Sequence, residues 1–393
     1  MRESLGTLAV IPARGGSKGI PRKNLREICG RPLIEHAVRA ALVSRHVARV
    51  VVSTDDQEIA QVAASAGAEI VMRPADLSTD TASSESALLH VLDELAGEAP
   101  EILVMIQCTS PLTMSEDIDR AIEDLVDRDA DSVFTATSFH HFLWSKDEAG
   151  MASPINHEDA ERKRRQDLKP QYLENGAIYA MRTAVFRETQ RRFCGRTAVS
   201  LMPPERCWEI DTTDDLAIAE RLMCKEQIRR LGSLLPQDVR AVVLDFDGVL
   251  TDNHLFLSED GAESVRLNRS DGLAVGKLRR MGIDVVVLSG ERNLVVAHRC
   301  AKLGIECLSG IDDKLPVLTD WAKHQGIGLE QIVYVGNDAN DVECLRAVGT
   351  GLAVADARQV ALRAADGSLR TAGGDGVVCE VVELIEDRQI ERK

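Results

Sequence analysis

The sequence has no Cys-x-x-Cys pair among its nine cysteines, so it shows no zinc signature. An odd number of scattered thiols fits a reducing compartment better than a disulfide framework. No stretch approaches the ~20 apolar residues of a membrane span. The residues after Met1 lack the long apolar core of a signal peptide, so the expected location is cytoplasmic. A basic excess is missing as well. The net charge is −16, and residues 1–230 and 231–393 each carry −8. Neither half advertises binding to nucleic acid or an anionic membrane. The one dense basic run, Arg162 to Arg165, reads as a solvated loop. Internal repeats and low-complexity tracts are also absent.

What is present is a chain of 393 residues, 44% apolar and 28% charged. That length fits two domains, and the apolar fraction lets each bury a core. The first half alternates short apolar runs with helical periodicity. Leu8 to Ile11, Val50 to Val52 and Ile102 to Ile106 read as buried strands. Ile34, Ala37, Val38, Ala41 and Leu42 recur at helical spacing, and Glu58 to Ala66 and Glu116 to Leu125 read as further helices. This rhythm predicts an α/β fold with a mostly parallel sheet. A polar segment, Ser138 to Pro170, interrupts it and is read as an excursion toward a substrate or another subunit. The pattern resets between 231 and 238, giving expected domains at 1–230 and 239–393 with a linker between them. The second half restarts at Ala241 to Leu244.

Two segments carry chemistry. The first follows the opening strand: Arg14-Gly15-Gly16-Ser17-Lys18-Gly19-Ile20-Pro21-Arg22-Lys23-Asn24. Glycines let backbone N–H groups close on phosphate oxygens, while Arg14, Lys18, Arg22 and Lys23 neutralise them. The Gly-Lys-Ser/Thr ending of a Walker loop is absent. The second is Asp245-Phe246-Asp247, directly after a buried strand. Its first carboxylate can attack phosphorus and its second can shuttle a proton. Alone, this pattern also fits a plain Mg²⁺ site or a turn. Three more signals follow in order: Ser289 after a Val-Val-Val strand, the cation Lys314, and Asn337-Asp338-Ala339-Asn340-Asp341 after another strand.

Residues 5 to 225 resemble the CMP-sialic acid synthetases, the acylneuraminate cytidylyltransferases. The glycine-rich segment matches their signature, followed in order by Ser53-Thr54-Asp55-Asp56, Arg73-Pro74-Ala75-Asp76-Leu77, Gln107-Cys108-Thr109-Ser110-Pro111-Leu112 and Glu174-Asn175-Gly176-Ala177-Ile178-Tyr179. The resemblance implies a glycosyltransferase A-like, Rossmann-like nucleotidyltransferase domain. It implies CTP contacts from Arg14, Ser17, Lys18, Lys23, Asn24 and Arg73, and sugar contacts from Gln107 and Tyr179. Lys23 and Asp211 are the expected catalytic groups. Asp211, with Glu209 where the family usually has Asp, is the expected Mg²⁺ element, since two carboxylates one residue apart on a strand end face the same side. His140, His141 and His157 lie in the polar segment and read as structural or solvent-exposed.

Residues 240 to 385 resemble the haloacid-dehalogenase phosphatases, and within them the capless octulosonate and nonulosonate phosphate phosphatases. Arg269-Ser270-Asp271-Gly272-Leu273 and Gly373-Gly374-Asp375-Gly376 support the narrower likeness. This resemblance implies a second Rossmann-like domain and a tetramer in which each subunit covers a neighbour's site. Asp245 becomes the nucleophile, Asp247 the acid, and Ser289 and Lys314 the phosphate holders, with Mg²⁺ on Asp245, Asp247 and Asp338. Glu291 replaces an arginine of the octulosonate enzymes. At i, i+8 and i+11, Glu291, Arg299 and Lys302 can share a helix face and hold a nine-carbon sugar, or form a solvated face. The joint expectation is CMP transfer from CTP to a nonulosonic acid, with removal of its 9-phosphate by the second domain. The alternatives are a second domain used only for assembly, or a legionaminate or pseudaminate substrate.

Overall fold

The computed structural model describes residues 6–17, 19–79, 82–95, 100–158, 164, 167 and 169–391. The chain divides into two compact units, Met1–Cys224 and Lys225–Lys393. The helix Thr213–Leu234 spans the change from one to the other, so the stretch 231–238 begins with the last turn of this helix.

In the first unit a seven-stranded sheet runs in the spatial order Thr197–Leu201, Ser132–Phe139, Gln171–Arg182, Ile102–Ile106, Thr7–Pro12, Arg49–Thr54 and Glu69–Met72. Only Gln171–Arg182 runs antiparallel to its neighbours. Alternate residues of the central strands feed different cores. Ala9, Ile11, Val52 and Val104 pack on one face, and Val10, Val51, Leu103 and Met105 on the other. Both faces are therefore covered, which is why these strands read as unbroken apolar runs. The helix Gln57–Ser65 starts at Asp56, whose carboxylate accepts from the N–H groups of Glu58 and Ile59 at 2.9 and 3.1 Å. In the polar excursion, Trp144–Lys146 pairs antiparallel with Ala152–Pro154.

The second unit holds a six-stranded parallel sheet ordered Glu306–Leu308, Asp284–Leu288, Ala241–Leu244, Ile332–Gly336, Thr350–Ala353 and Gly367–Ser368. After the first of these strands in the chain comes a hairpin, Thr251–Leu257 with Glu263–Leu267. No helix among the described residues is long and apolar enough to cross a membrane.

Candidate active sites of the two units

In a parallel sheet the carboxyl ends of adjacent strands open on the same side. In the first unit, Thr7–Pro12 leads into the glycine-rich loop and its parallel neighbour Ile102–Ile106 leads into Gln107, Cys108 and Thr109. A cleft of about 550 Å³ lies there, lined among others by Arg14, Ser17, Lys23, Asn24, Gln107, Thr109, Glu209 and Asp211. Lys23 Nζ donates to the Ile210 carbonyl at 2.7 Å and stands 3.4 Å from Asp211 Oδ1. Asn24 Nδ2 donates to the Arg14 carbonyl at 3.0 Å and so ties the loop across its mouth. Asp211 is placed by a capping box at the start of Thr213–Leu234. Asp215 Oδ2 accepts from the N–H groups of Asp211 and Thr212 at 3.1 and 2.8 Å, and Thr212 Oγ1 accepts from the Asp215 N–H at 3.2 Å.

Glu209 accepts from the Thr109 hydroxyl at 3.3 Å. Burial, and then the Asp211 carboxylate, push its carboxyl above the usual range. Two carboxylates beside a single lysine form a donor set that suits a hard divalent cation. Among the described residues no cage of three His, Cys, Asp or Glu side chains is gathered, so substrate oxygens and water would complete the shell. Cys108 also lines the cleft, but burial pushes its thiol up to about 12. It is neutral near pH 7 and supplies no nucleophile.

In the second unit, Ala241–Leu244 lies between Asp284–Leu288 and Ile332–Gly336, so three motifs meet at adjoining strand ends. The Asp245 N–H donates to the Val335 carbonyl at 3.0 Å, and the Ser289 N–H to the Leu308 carbonyl at 2.9 Å. Lys314 is almost fully buried between two carboxylates, 2.8 Å from Asp245 Oδ1 and 2.7 Å from Asp341 Oδ1. Tyr334 Oη donates to Asp341 at 2.6 Å. Burial works against the Lys314 charge, but Asp245 and Asp341 outweigh it and raise its pKa. Burial, and then the Asp341 carboxylate, push the Asp245 carboxyl up to about 7, against the pull of Lys314. Asp247 is half-buried, and burial followed by the Glu291 carboxylate raises its pKa.

Residues 8–233 match the cytidylyltransferase family, and residues 302–381 match the haloacid dehalogenase-like hydrolases. The N-acylneuraminate cytidylyltransferase A of Danio rerio is 32% identical over 98% of this chain and 89% of its own length. The N-acylneuraminate cytidylyltransferase of Oncorhynchus mykiss is 33% identical over 96% and 88%. The chain belongs to the cytidylyltransferase family. Its second unit carries a haloacid dehalogenase-like hydrolase region. A solved 3-deoxy-D-manno-octulosonate 8-phosphate phosphatase from Yersinia pestis is 30% identical, covering 42% of this chain and 88% of its own, with a TM-score of 0.39.

Among the expected cytidylyltransferase site residues, Arg14, Ser17, Lys23, Asn24, Gln107, Glu209 and Asp211 come together in the cleft. Lys18 lies outside the described residues. Arg73 is not a lining residue. Its guanidinium donates to Ser53 Oγ at 3.1 Å and to the Ser53 carbonyl at 2.6 Å, bracing the end of a strand from behind. Tyr179 corrects the sequence expectation more strongly. It is 3% exposed in an apolar core, 5.8 Å from the Phe193 ring, and its hydroxyl donates to Glu174. A register shift between Glu174 and Tyr179 accompanies this inward placement.

In the hydrolase region, Asp338 is committed to its own turn and is part-exposed. Its carboxylate accepts from the Ala339 N–H at 2.6 Å and lies 3.7 Å from Arg358 Nε. Asn337 takes the inner position instead. It is 7% exposed, and its Oδ1 is buried without a hydrogen-bond partner. It packs so closely on Gly248 (φ +82°) that any side chain at 248 would collide with the Asn337 amide. The sequence signal for Asn337 is its place directly after the strand Ile332–Gly336. Glu291, Arg299 and Lys302 share no helix face, because the helix begins only at Leu294. Glu291 precedes it and accepts from the N–H groups of Arg292 and Asn293 at 2.7 and 2.9 Å. Arg299 Nη2 donates to the Asn268 carbonyl at 2.9 Å, and Lys302 is exposed.

Proposed function

We propose that the first unit transfers CMP from CTP to the anomeric 2-hydroxyl of a nonulosonic acid, an N-acylneuraminate or ketodeoxynononate, releasing pyrophosphate. The observation that carries this reading is the cleft, which gathers Arg14 and Lys23 opposite Glu209 and Asp211. The fish relatives named for that reaction, matched over nearly the whole chain, support it. The sugar oxygen attacks the α-phosphorus, the bond to the pyrophosphate oxygen breaks, and the hydroxyl proton passes to solvent. Arg14 and Lys23 hold phosphate oxygens as charge moves onto the leaving group. Glu209 and Asp211 would hold Mg²⁺, which supplies charge neutralisation at the triphosphate. The rest of the catalysis is positioning, with Gln107 on the sugar side. Incubating the protein with CTP, Mg²⁺ and a panel of nonulosonic acids while following pyrophosphate tests this. No release with any member sinks it.

For the second unit the proposed activity is hydrolysis of a nonulosonate 9-phosphate. Asp245 attacks phosphorus to give an aspartyl-phosphate as Asp247 protonates the departing sugar oxygen, and water, passing its proton to Asp247, then attacks that phosphorus to release phosphate and free Asp245. Burial, and then the Glu291 carboxylate, raise the Asp247 pKa, the direction that favours a proton donor. Ser289 and Lys314 hold the phosphoryl oxygens. The buried carboxylate of Asp245 and the orphaned Asn337 oxygen support Mg²⁺ held by Asp245, Asp247 and Asn337. One observation favours the rival reading of an assembly-only domain: Asn337 offers a neutral amide where a carboxylate would bind the cation more tightly. Phosphate release from the 9-phosphate ester by wild-type protein decides between them. The proposed assembly is a homotetramer, which sedimentation would test.

A further inference from the structure

The cations of the glycine-rich loop are sorted. Arg14 and Lys23 line the cleft, but Arg22 does not. Arg22 sits in the left-handed region at φ +54° and points its guanidinium at Asp56 Oδ2, 3.2 Å away, and Glu58 Oε2, 2.9 Å away. At the other end of the loop, the Gly15 N–H donates to Asp55 Oδ1 at 2.9 Å. A side chain at 15 would place its Cβ 2.8 Å from Asp56 Oδ2 and 3.0 Å from Asp56 Cβ, so the loop reaches this position only with glycine. Asp56 cannot swing aside without uncapping the helix Gln57–Ser65. Both ends of the loop are therefore gripped by one rigid element, the junction of the strand Arg49–Thr54 with that helix.

We propose that Asp55 and Asp56 are positioning residues for nucleotide binding: Asp55 fixes the Gly15 amide, and Asp56 with Glu58 holds Arg22 outside the cleft. This rests on the cytidylyl-transfer reading. Two carboxylates beside an anion site repel a triphosphate, and a fixed loop offsets that repulsion by lowering the cost of ordering on binding.

The test is steady-state kinetics of the full chain with CTP varied at saturating sugar. Asp55→Ala should raise KM for CTP about fivefold to tenfold, the effect of one lost hydrogen bond, with kcat within about twofold. Asp55→Asn, which keeps an acceptor for the Gly15 N–H, should restore KM. Asp56→Asn keeps the helix cap but weakens the hold on Arg22, so KM should rise about threefold with Tm unchanged. Should Asp55→Ala misfold, Gly15→Ala displaces the loop from the same junction by colliding with Asp56 and should raise KM similarly. An unchanged KM in Asp55→Ala, or an equal defect in Asp55→Asn, overturns the proposal. Wild-type protein that releases no pyrophosphate from CTP overturns the transfer reading itself, and the anchor with it.

Discussion

The two sites handle charge in opposite ways. In the first unit Asp211 is largely open to solvent, and Lys23 finds its nearest partner in a backbone carbonyl. In the second, Lys314, Asp245 and Asp341 form a closed ion cluster with side chains no more than 6% exposed. The difference follows from what each must receive. A nucleotide triphosphate and a sugar need a roomy cleft whose charges are still available, and the ligand itself completes the electrostatics. On the proposed phosphatase reading, Asp245 must be aimed before substrate arrives, and burial against Lys314 does that aiming. The closed arrangement gains preorganisation and becomes sensitive to the loss of its one cation, Lys314.

The sharpest way to break this comparison is a pair of reciprocal substitutions. Asp245→Asn should eliminate phosphate release from a nonulosonate 9-phosphate, by at least about a thousandfold, and leave CMP-sugar synthesis intact. The fold should tolerate it, since Lys314 then faces one carboxylate, Asp341, in a balanced pair. Asp211→Asn should do the reverse. Assaying both variants for both activities checks the two sites together; crossed losses mean that the sites are not separate.

Next in size is Lys314→Met. It leaves two buried carboxylates uncompensated and should destabilise the second unit by about 3–5 kcal/mol. Chemical denaturation would show this as an early transition of that unit alone. In the open site, Lys23→Ala should cost about tenfold to a hundredfold in kcat/KM for CTP with little change in Tm, because a charge-assisted phosphate contact is lost but no closed cluster is broken. A large drop in Tm for Lys23→Ala would erase the contrast between the sites.

The smaller of the two stability effects concerns Asp271, which is buried at the start of the helix Ser270–Arg280 and accepts from the Val378 N–H at 3.0 Å. Burial pushes its carboxyl up to about 6, against the pull of the Val378 N–H and of Arg299. A folded value above the unfolded ~3.9 means that ionisation costs stability. The cost is absent below about pH 4, grows as pH rises, and is complete above about pH 6. Asp271→Asn should therefore stabilise the protein by about 2–3 kcal/mol at pH 8 and by less than half as much at pH 4.5. Thermal melts at the two values check the sign, and an equal shift at both would refute it.

Local pattern determined much of this protein. The apolar runs at Leu8, Val50, Ile102 and Ala241 are strands, and the Thr212 to Asp215 box starts a helix as its spacing requires. The glycine-rich loop and the Asp245–Asp247 pair follow strands because their residues lie next to those strands in the chain. Orientation was decided elsewhere. Arg22 faces out because Asp56, 34 residues away, holds it. Lys23 reaches Ile210 across 187 residues, and Lys314 reaches Asp341 across 27. Tyr179 turns inward where the pairing of Gln171–Arg182 shifts register. Asn337 packs its amide against Gly248, which admits it because it has no side chain, while Asp338 lies 3.7 Å from Arg358 Nε. Residue type and spacing set which groups arrive at a strand end. Which of them turn into the cleft depends on side chains that only the folded sheet brings near.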